Sequence, residues 1–308
     1  MKKLFFFLTV ATVLFASCSS SDESDPVDNG KTYKVKFNVS NFTSDISSLK
    51  AENTDYWPTS NYCQYAIYKA SGELVKSKLM EAGSFDPANV EIEEEVSAGN
   101  YWIAIVSASS FNNMPVVLAD LSNINTDYCL GNTWISRGHD NVGIYYEKLA
   151  FTAGESATEV NDVVLNPMWS HLNIKVSDAD VCYLPEGTTY VQCVVSPYYY
   201  GFRLKDGVSS QKYEASPGLG SDLPVPVAKF RSEGGMESII VSSTKDATVK
   251  FVCMTNNGTV LSEKVIYTGD IEKGKYITFN GSLGSIESNT TFNLSLADLT
   301  DGGVIPFN

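Results

Sequence analysis

The sequence predicts an all-β protein made of two tandem antiparallel β-sandwich domains, residues 31–166 and 167–308. Apolar and polar residues alternate with a period of two in several stretches, which is typical of strands with one buried face. Helical periodicity is sparse, and 41–49 and 114–124 are its short candidates. The strand patterns also recur in the same order after residue 166, and the chain is long enough for two ordinary domains.

Strand patterns fall in four segments of the first half. An alternating segment opens it, a hairpin with Gly72 near its turn follows, and a continuous apolar run of buried-strand length comes third. The fourth segment ends at an Asn-Pro pair, which punctuates the chain. The four segments are 33–39, 65–75, 99–106 and 163–165.

The second half repeats this order with different spacings. An opening strand, a hairpin with an Asn-Asn-Gly turn, and a strand that begins Gly-x-Tyr match their counterparts in the first half. These three segments are 171–176, 249–261 and 274–279.

The N-terminus has the layout of a bacterial lipoprotein signal. Two lysines precede an apolar run that is shorter than a membrane span, and small residues lead to Cys18. We therefore expect residues 1–17 to be a signal peptide and Cys18 to carry the lipid. Residues 18–30 are rich in serine and acids, which predicts a flexible tether.

The charge of the chain excludes one class of partner. The formal net charge is −14, and removing residues 1–17 takes away two lysines and no acids, which gives −16. So acidic a chain repels phosphate backbones, and we expect no nucleic-acid binding. The densest acidic patch, Glu91 and Glu93 to Glu95, is better explained as a solvated strand surface than as a metal site.

Five cysteines remain beyond the lipidation site, an odd number without CxxC spacing. This pattern argues against zinc and against a disulfide scaffold. Cys182 and Cys193 flank a turn and are able to pair, but all five also fit as small buried side chains. The five are Cys63, Cys129, Cys182, Cys193 and Cys253.

The sequence shows no catalytic constellation. Of the two histidines, His139 lies in a loop by composition and His171 begins a predicted strand, and neither has a second histidine at ligand spacing. The GxSxG, HExxH, P-loop and GxGxxG motifs are absent. We therefore expect no enzymatic activity, no cofactor and no metal.

Two aromatic groups remain as candidate ligand sites. Trp57 opens one loop, and Tyr198, Tyr199 and Tyr200 follow a proline. Exposed rings of this kind stack on sugars or anchor interfaces, whereas buried ones pack across strands. Both interpretations remain open at this stage.

Together these features resemble the fimbrial anchoring subunits of Bacteroidales. The resemblance rests on the lipobox, the Lys-flanked strand 33–39, the segment 65–72, the Ala98–Tyr101 turn and the run 144–149. It implies transthyretin-like β-sandwich domains, assembly with fimbrial stalk subunits by β-strand complementation, and attachment to the outer membrane at the cell surface. An Arg expected between the two domains is replaced here by the segment 166–169.

The C-terminal segment is the candidate for strand exchange. Phe292, Leu294 and Leu296 alternate with polar residues, as either a donor strand or the last strand of the second domain would. No Arg lies near the opening strand, where stalk subunits of the resembled family are cut, which favours a retained lipid. The sequence thus predicts a non-enzymatic fimbrial anchor or accessory lipoprotein. The alternative is a glycan-binding surface lipoprotein of a polysaccharide uptake system.

Overall fold

A computed structural model describes residues 30–40, 62–81, 84, 89–108, 121–125, 127–129, 144–156, 158–213, 224–241, 243–284 and 293–298. These residues form strands almost throughout, which confirms the predicted all-β class. The opening strand shows why: Val35, Phe37 and Val39 are fully buried, whereas Lys36 and Asn38 between them are only half-buried and Lys34 before them is exposed.

Among the described residues, the first half contains strands β1 to β9, and the second contains β10 to β19 and one short helix. The first half comprises β1 (Thr32–Ser40), β2 (Tyr62–Lys69), β3 (Leu74–Glu81), β4 (Asn89–Ser97), β5 (Gly99–Ala108), β6 (Asp127–Cys129), β7 (Ile144–Ala153), β8 (Thr158–Val163) and β9 (Asn166–Pro167). The second comprises β10 (Trp169–Val176), β11 (Tyr190–Ser196), β12 (Tyr198–Arg203), β13 (Ser209–Tyr213), β14 (Val225–Pro226), α1 (Val227–Glu233), β15 (Gly235–Val241), β16 (Thr244–Met254), β17 (Val260–Ile271), β18 (Lys275–Gly281) and β19 (Asn293–Asp298).

Two sheets enclose the core of the first half. Their strand orders are β4-β1-β8 and β3-β2-β5-β7-β9. Phe37 from one sheet meets Phe151 from the other with ring centroids 5.0 Å apart, and Ile67 and Ile103 are fully buried beside them. The predicted hairpin is confirmed as β2 and β3, and Gly72 in its turn has a left-handed φ of 92° that favours glycine.

The second half has the same two-layer plan around its own core. Its sheets have the orders β15-β10-β18-β19 and β14-β11-β16-β17. Leu172 and Ile174 of the opening strand pack against Phe251 and Phe279 in this core. The helix α1, which the sequence does not predict, adds Phe230 and ends at Gly234 in a left-handed conformation.

Cysteine side chains fill these two cores. Cys63 lies in the core of the first half, and Cys182, Cys193 and Cys253 lie in that of the second. All four are thiols rather than disulfides, and burial raises the pKa of Cys63 to about 12. The buried interpretation is therefore correct for these four, whereas the side chain of Cys129 lies outside the described residues.

The topology changes how the two halves correspond. In each half the opening strand has one antiparallel neighbour and one parallel neighbour, β4 and β8 for β1, and β15 and β18 for β10. The order β2-β5-β7 then matches β11-β16-β17. The hairpin β16–β17 is thus the counterpart of β5–β7, and the Gly-x-Tyr strand β18 is the counterpart of β8. The match of the two opening strands inferred from sequence is therefore correct, whereas the matches of the hairpin and of the Gly-x-Tyr strand are wrong.

The two halves share a junction. The outer face of the β2–β5–β7 sheet, including Tyr68 and Tyr146, is buried against Phe202 and Leu204 from the second half. Tyr146 donates a hydrogen bond to the carbonyl of Leu204, and β12 pairs with β6 across the boundary. Pro167, assigned from sequence to the second domain, pairs instead with β7 as part of β9.

Candidate assembly surface

Assembly by strand pairing needs a sheet edge that a partner is able to reach. An edge strand carries unpaired N–H and C=O groups, and proteins normally protect it with charges, bulges or covering segments. Among the described residues, the long edges are β3 and β4 in the first half and β17 in the second. Their protection differs.

The β4 edge is protected by charge. Its exposed glutamates pair with lysines of β1: Lys34 Nζ lies 2.8 Å from Glu93, and Lys36 Nζ lies 3.2 Å from Glu91. The Lys34 ammonium lowers the pKa of Glu93. The acidic patch is therefore a solvated strand surface at these positions, as predicted.

Glu94 differs from its neighbours because it points between the sheets. It accepts hydrogen bonds from the Tyr65 hydroxyl of β2 and from the Lys76 ammonium of β3. Burial alone would raise its pKa, but these two donors outweigh burial and lower it. An inward charge on an edge strand opposes edge-to-edge pairing, so Glu94 closes this side of the first half.

The β17 edge is protected by charge only in part: Lys250 Nζ of β16 lies 2.8 Å from Glu263, but exposed aliphatic residues lie on the same strand. It is 12 residues long, and no described strand pairs with its outer side. Three aliphatic residues on it are exposed, with exposed fractions of 39% for Val260, 37% for Leu261 and 51% for Val265. A long edge with exposed aliphatic residues is a template for another strand.

A groove opens where β17 passes into β18. Its volume is about 170 Å³, and Tyr267, Ile271, Ile277 and Phe279 line it. The ring of Tyr267 lies so close over Gly269 that a Cβ there would sit 2.4 Å from its hydroxyl oxygen. Glycine at 269, with a φ of 155°, is therefore what allows this ring to shape the groove.

A second cavity of about 210 Å³ lies on the first half, lined by Asn100, Tyr101 and Trp102 among others. The Lys148 ammonium sits 4.0 Å above the centre of the Trp102 ring, a cation–π contact. Both cavities are smaller than the ~300–1,000 Å³ typical of small-molecule sites.

The proposed stacking residues do not come together as one exposed platform. Tyr198 is only 5% exposed and belongs to the core of the second half, so its ring is not available to a sugar. Tyr199 is half-buried in β12. Trp57 and the side chain of Tyr200 lie outside the described residues.

The candidate exchange segment pairs within its own chain. Leu294 and Leu296 lie in β19, opposite Phe279 and Ile277 of β18. Phe292 and the lipidation candidate Cys18 lie outside the described residues. The register thus places the β19 backbone at the edge of the second half.

His171 lies in β10 and contacts the side chains of two neighbouring residues. Its Nε2 lies 3.5 Å from Glu237, and its ring stacks on Tyr276 with centroids 4.8 Å apart. His171 lowers the pKa of Glu237. His139 lies outside the described residues. In the part of the chain that the structure describes, we find no cluster of metal-binding side chains and no helix long and apolar enough to cross a membrane.

Comparison with solved structures identifies the fold. A candidate polysaccharide-binding protein of Bacteroides thetaiotaomicron superposes with a TM-score of 0.52 at 12% identity, covering 87% of this chain and 97% of the other. A candidate cell adhesion protein of Bacteroides eggerthii gives 0.51 at 11% identity, covering 87% and 96%. The tip fimbrial protein Mfa3 of Porphyromonas gingivalis, truncated at its C-terminus, gives 0.50 at 10% identity, covering 87% and 100%.

The fold is that of Bacteroidales fimbrial proteins. No family model matches the chain, and no curated protein sequence matches it. At 10–12% identity the likeness establishes the architecture, which agrees with the resemblance drawn from the sequence.

Sequence reasoning missed the β17 edge and the inward Glu94. The only sequence signal for this edge was that the strand pattern continues beyond residue 261, where the predicted hairpin ends. No local signal separates Glu94 from Glu93, because the difference depends on Tyr65 and Lys76, which are distant in sequence.

Proposed function

We propose that this chain is a non-enzymatic, lipid-anchored surface protein that holds a fimbria in the outer membrane as its anchor or accessory subunit. Cys18 carries the lipid, the segment to residue 30 is the tether, and the two β-sandwich halves join the next subunit by strand complementation. The fold is the observation that carries this proposal, because it extends over 87% of the chain and all of a tip fimbrial protein.

Two further features support a structural role. The described cavities are small, and the long β17 edge offers a surface suited to another strand. A glycan-binding role has one point in its favour, since one similar structure is a candidate polysaccharide-binding protein. The burial of Tyr198 weakens the stacking site on which that role depends.

Deletion of the gene in the cells that carry it tests the fimbrial role. We expect fimbriae to be shed into the medium or to grow to uncontrolled length, visible by electron microscopy of cells and of the culture supernatant. Unchanged fimbriae that remain attached to the cells would contradict the proposal.

The lipid is tested separately by Cys18→Ser, with Ser19→Ala as the adjacent control. We expect Cys18→Ser to abolish labelling by palmitate and to move the protein, with any fimbria it holds, from the membrane fraction to the medium. The control should behave like the wild type. Retention of both protein and fimbria in the Cys18→Ser cells would refute anchoring by this lipid.

A further inference from the structure

We propose that the start of β17 is the docking site for the segment that leads into the opening strand of another subunit of this same two-half fold. This inference rests on the proposed fimbrial function and assigns the contact to particular residues. It is drawn from the way the molecule fills the equivalent position in its own first half.

In the first half, β7 is the counterpart of β17, and its edge is covered. Asn166 and Pro167 of β9 pair with Tyr146 and Tyr145, and the Met168 N–H donates to the Ile144 carbonyl at 2.7 Å. The covering segment is the linker, which continues directly into β10, the opening strand of the second half. The first half is thus capped by the residues that introduce the second half.

In the second half, no described strand pairs with the equivalent edge. Ile144 begins β7 opposite the last residue of β5, and Val260 begins β17 opposite the last residue of β16, so the two residues occupy the same place. Ile144 is fully buried, whereas Val260 is 39% and its neighbour Leu261 is 37% exposed. Ile144 is covered by Met168 of the linker together with Phe202 and Leu204 at the junction, and Val260 has no equivalent cover among the described residues.

The equivalence of the two halves therefore indicates which kind of segment would pair with the β17 edge. By equivalence, it is a short extended segment just upstream of an opening strand, supplied by a subunit that follows head to tail. Backbone pairing with residues 260–263 would supply the affinity, and Val260 and Leu261 would be covered by its side chains. The described part of this chain supplies no further segment to this edge, because the linker is already paired with β7.

The direction of the strands agrees with a head-to-tail order. β1 begins at Thr32, opposite Ser97 and beside the start of β5, whereas β5 ends at the linker side of the first half. β16 begins after Ser243, which accepts a hydrogen bond from Lys273, whose ammonium in turn reaches Met168 of the linker. β16 ends at Met254, opposite the start of β17. The tethered start of the chain and the proposed docking edge thus lie at opposite ends of the strand path.

A photo-crosslinking amino acid placed at Leu261 of the full chain, in cells that assemble fimbriae, tests the inference. The matched control is the same amino acid at Val75, which is 39% exposed on the edge strand β3. We expect a crosslinked product at 261 and none at 75. Mass spectrometry should place the partner's crosslinked peptide just upstream of the opening strand of a subunit with this fold.

Three results would overturn the inference: no crosslink at 261, equal crosslinks at both positions, or a partner peptide from any other segment. The deletion strain separates this failure from failure of the proposed function. If deletion releases fimbriae but no crosslink forms at residue 261, the fimbrial role is supported and the docking site is refuted. If deletion changes nothing, the fimbrial role itself falls.

Discussion

The two halves of this protein have the same two-sheet plan, but their edge strands are covered to different extents. In the first half, Glu94 closes one side between the sheets, and the linker covers the start of β7. In the second half, β17 remains a long edge with three exposed aliphatic residues. Because proteins usually protect their sheet edges against unwanted pairing, a long edge with exposed aliphatic residues is the place to test for a partner strand.

The largest effect is expected at the junction, where the halves share a cluster. Phe202 is fully buried there, with its ring centroid 5.1 Å from that of Tyr146. Phe202→Ala should cost about 3–5 kcal/mol of unfolding free energy, because it leaves a cavity between the halves. We expect differential scanning calorimetry to show two separated transitions, one for each half.

The matched control for the junction is Phe251→Ala, which empties a site in the core of the second half alone. It should destabilise that half and leave the first half's transition in place. A single transition in Phe202→Ala, shifted no more than by replacement of the exposed Tyr183, would show that the halves are not coupled through this cluster.

The second prediction compares the same place in both halves. Ile144→Ala should cost about 2–5 kcal/mol, because Ile144 is fully buried in the junction cluster with Met168, Phe202 and Leu204. Val260→Ala should change the unfolding free energy of the isolated chain by less than about 0.5 kcal/mol, as exposed sites usually do. Chemical denaturation of the two variants measures both values. Equal losses would mean that the start of β17 is already covered within the chain.

The pair Ile144 and Val260 also shows what the sequence is able to predict. The strand class, the opening strand and the β2–β3 hairpin follow from alternation and from Gly72, which are local signals. The partner of a strand is not a local property. The Gly-x-Tyr pattern occurs in β5 and in β18, yet β5 lies beside β2 and β18 lies beside β10.

The same limit applies to the candidate site. Exposure of Leu261 and burial of Tyr198 depend on which elements cover them, and both occur in apolar strand patterns that look alike in sequence. Tertiary contacts between distant segments decide which apolar residues face a core and which face a partner. The lipidation signal at Cys18 is the opposite case, because a signal peptide is recognised from its linear sequence alone.

A smaller loss of unfolding free energy is expected when the inward carboxylate of Glu94 is removed from the edge strand β4. Glu94→Ala removes the acceptor of both Tyr65 and Lys76. The Tyr65 hydroxyl would then be half-buried without this partner, and we expect a loss of about 1–3 kcal/mol in unfolding free energy. Glu93→Ala is the control, because its ion pair with Lys34 is exposed and should leave the denaturation midpoint nearly unchanged. Equal effects of the two variants would show that Glu94 does not seal the sandwich.

The smallest expected effect is the pH dependence of the stability that Glu94 contributes. The folded state lowers the pKa of Glu94 below its ordinary value of 4.5, so its stabilisation is complete above that pH and is lost as the pH falls through the folded pKa. Thermal melts of the wild type should therefore shift down on acidification more than those of Glu94→Gln, which cannot titrate. Glu93 also has a lowered pKa, but its exposed pair with Lys34 is screened by salt. At high salt the difference between wild type and Glu94→Gln should persist, whereas the difference between wild type and Glu93→Gln should vanish. If both differences vanish, Glu94 is as solvated as its neighbours and the first half is no better sealed than the second.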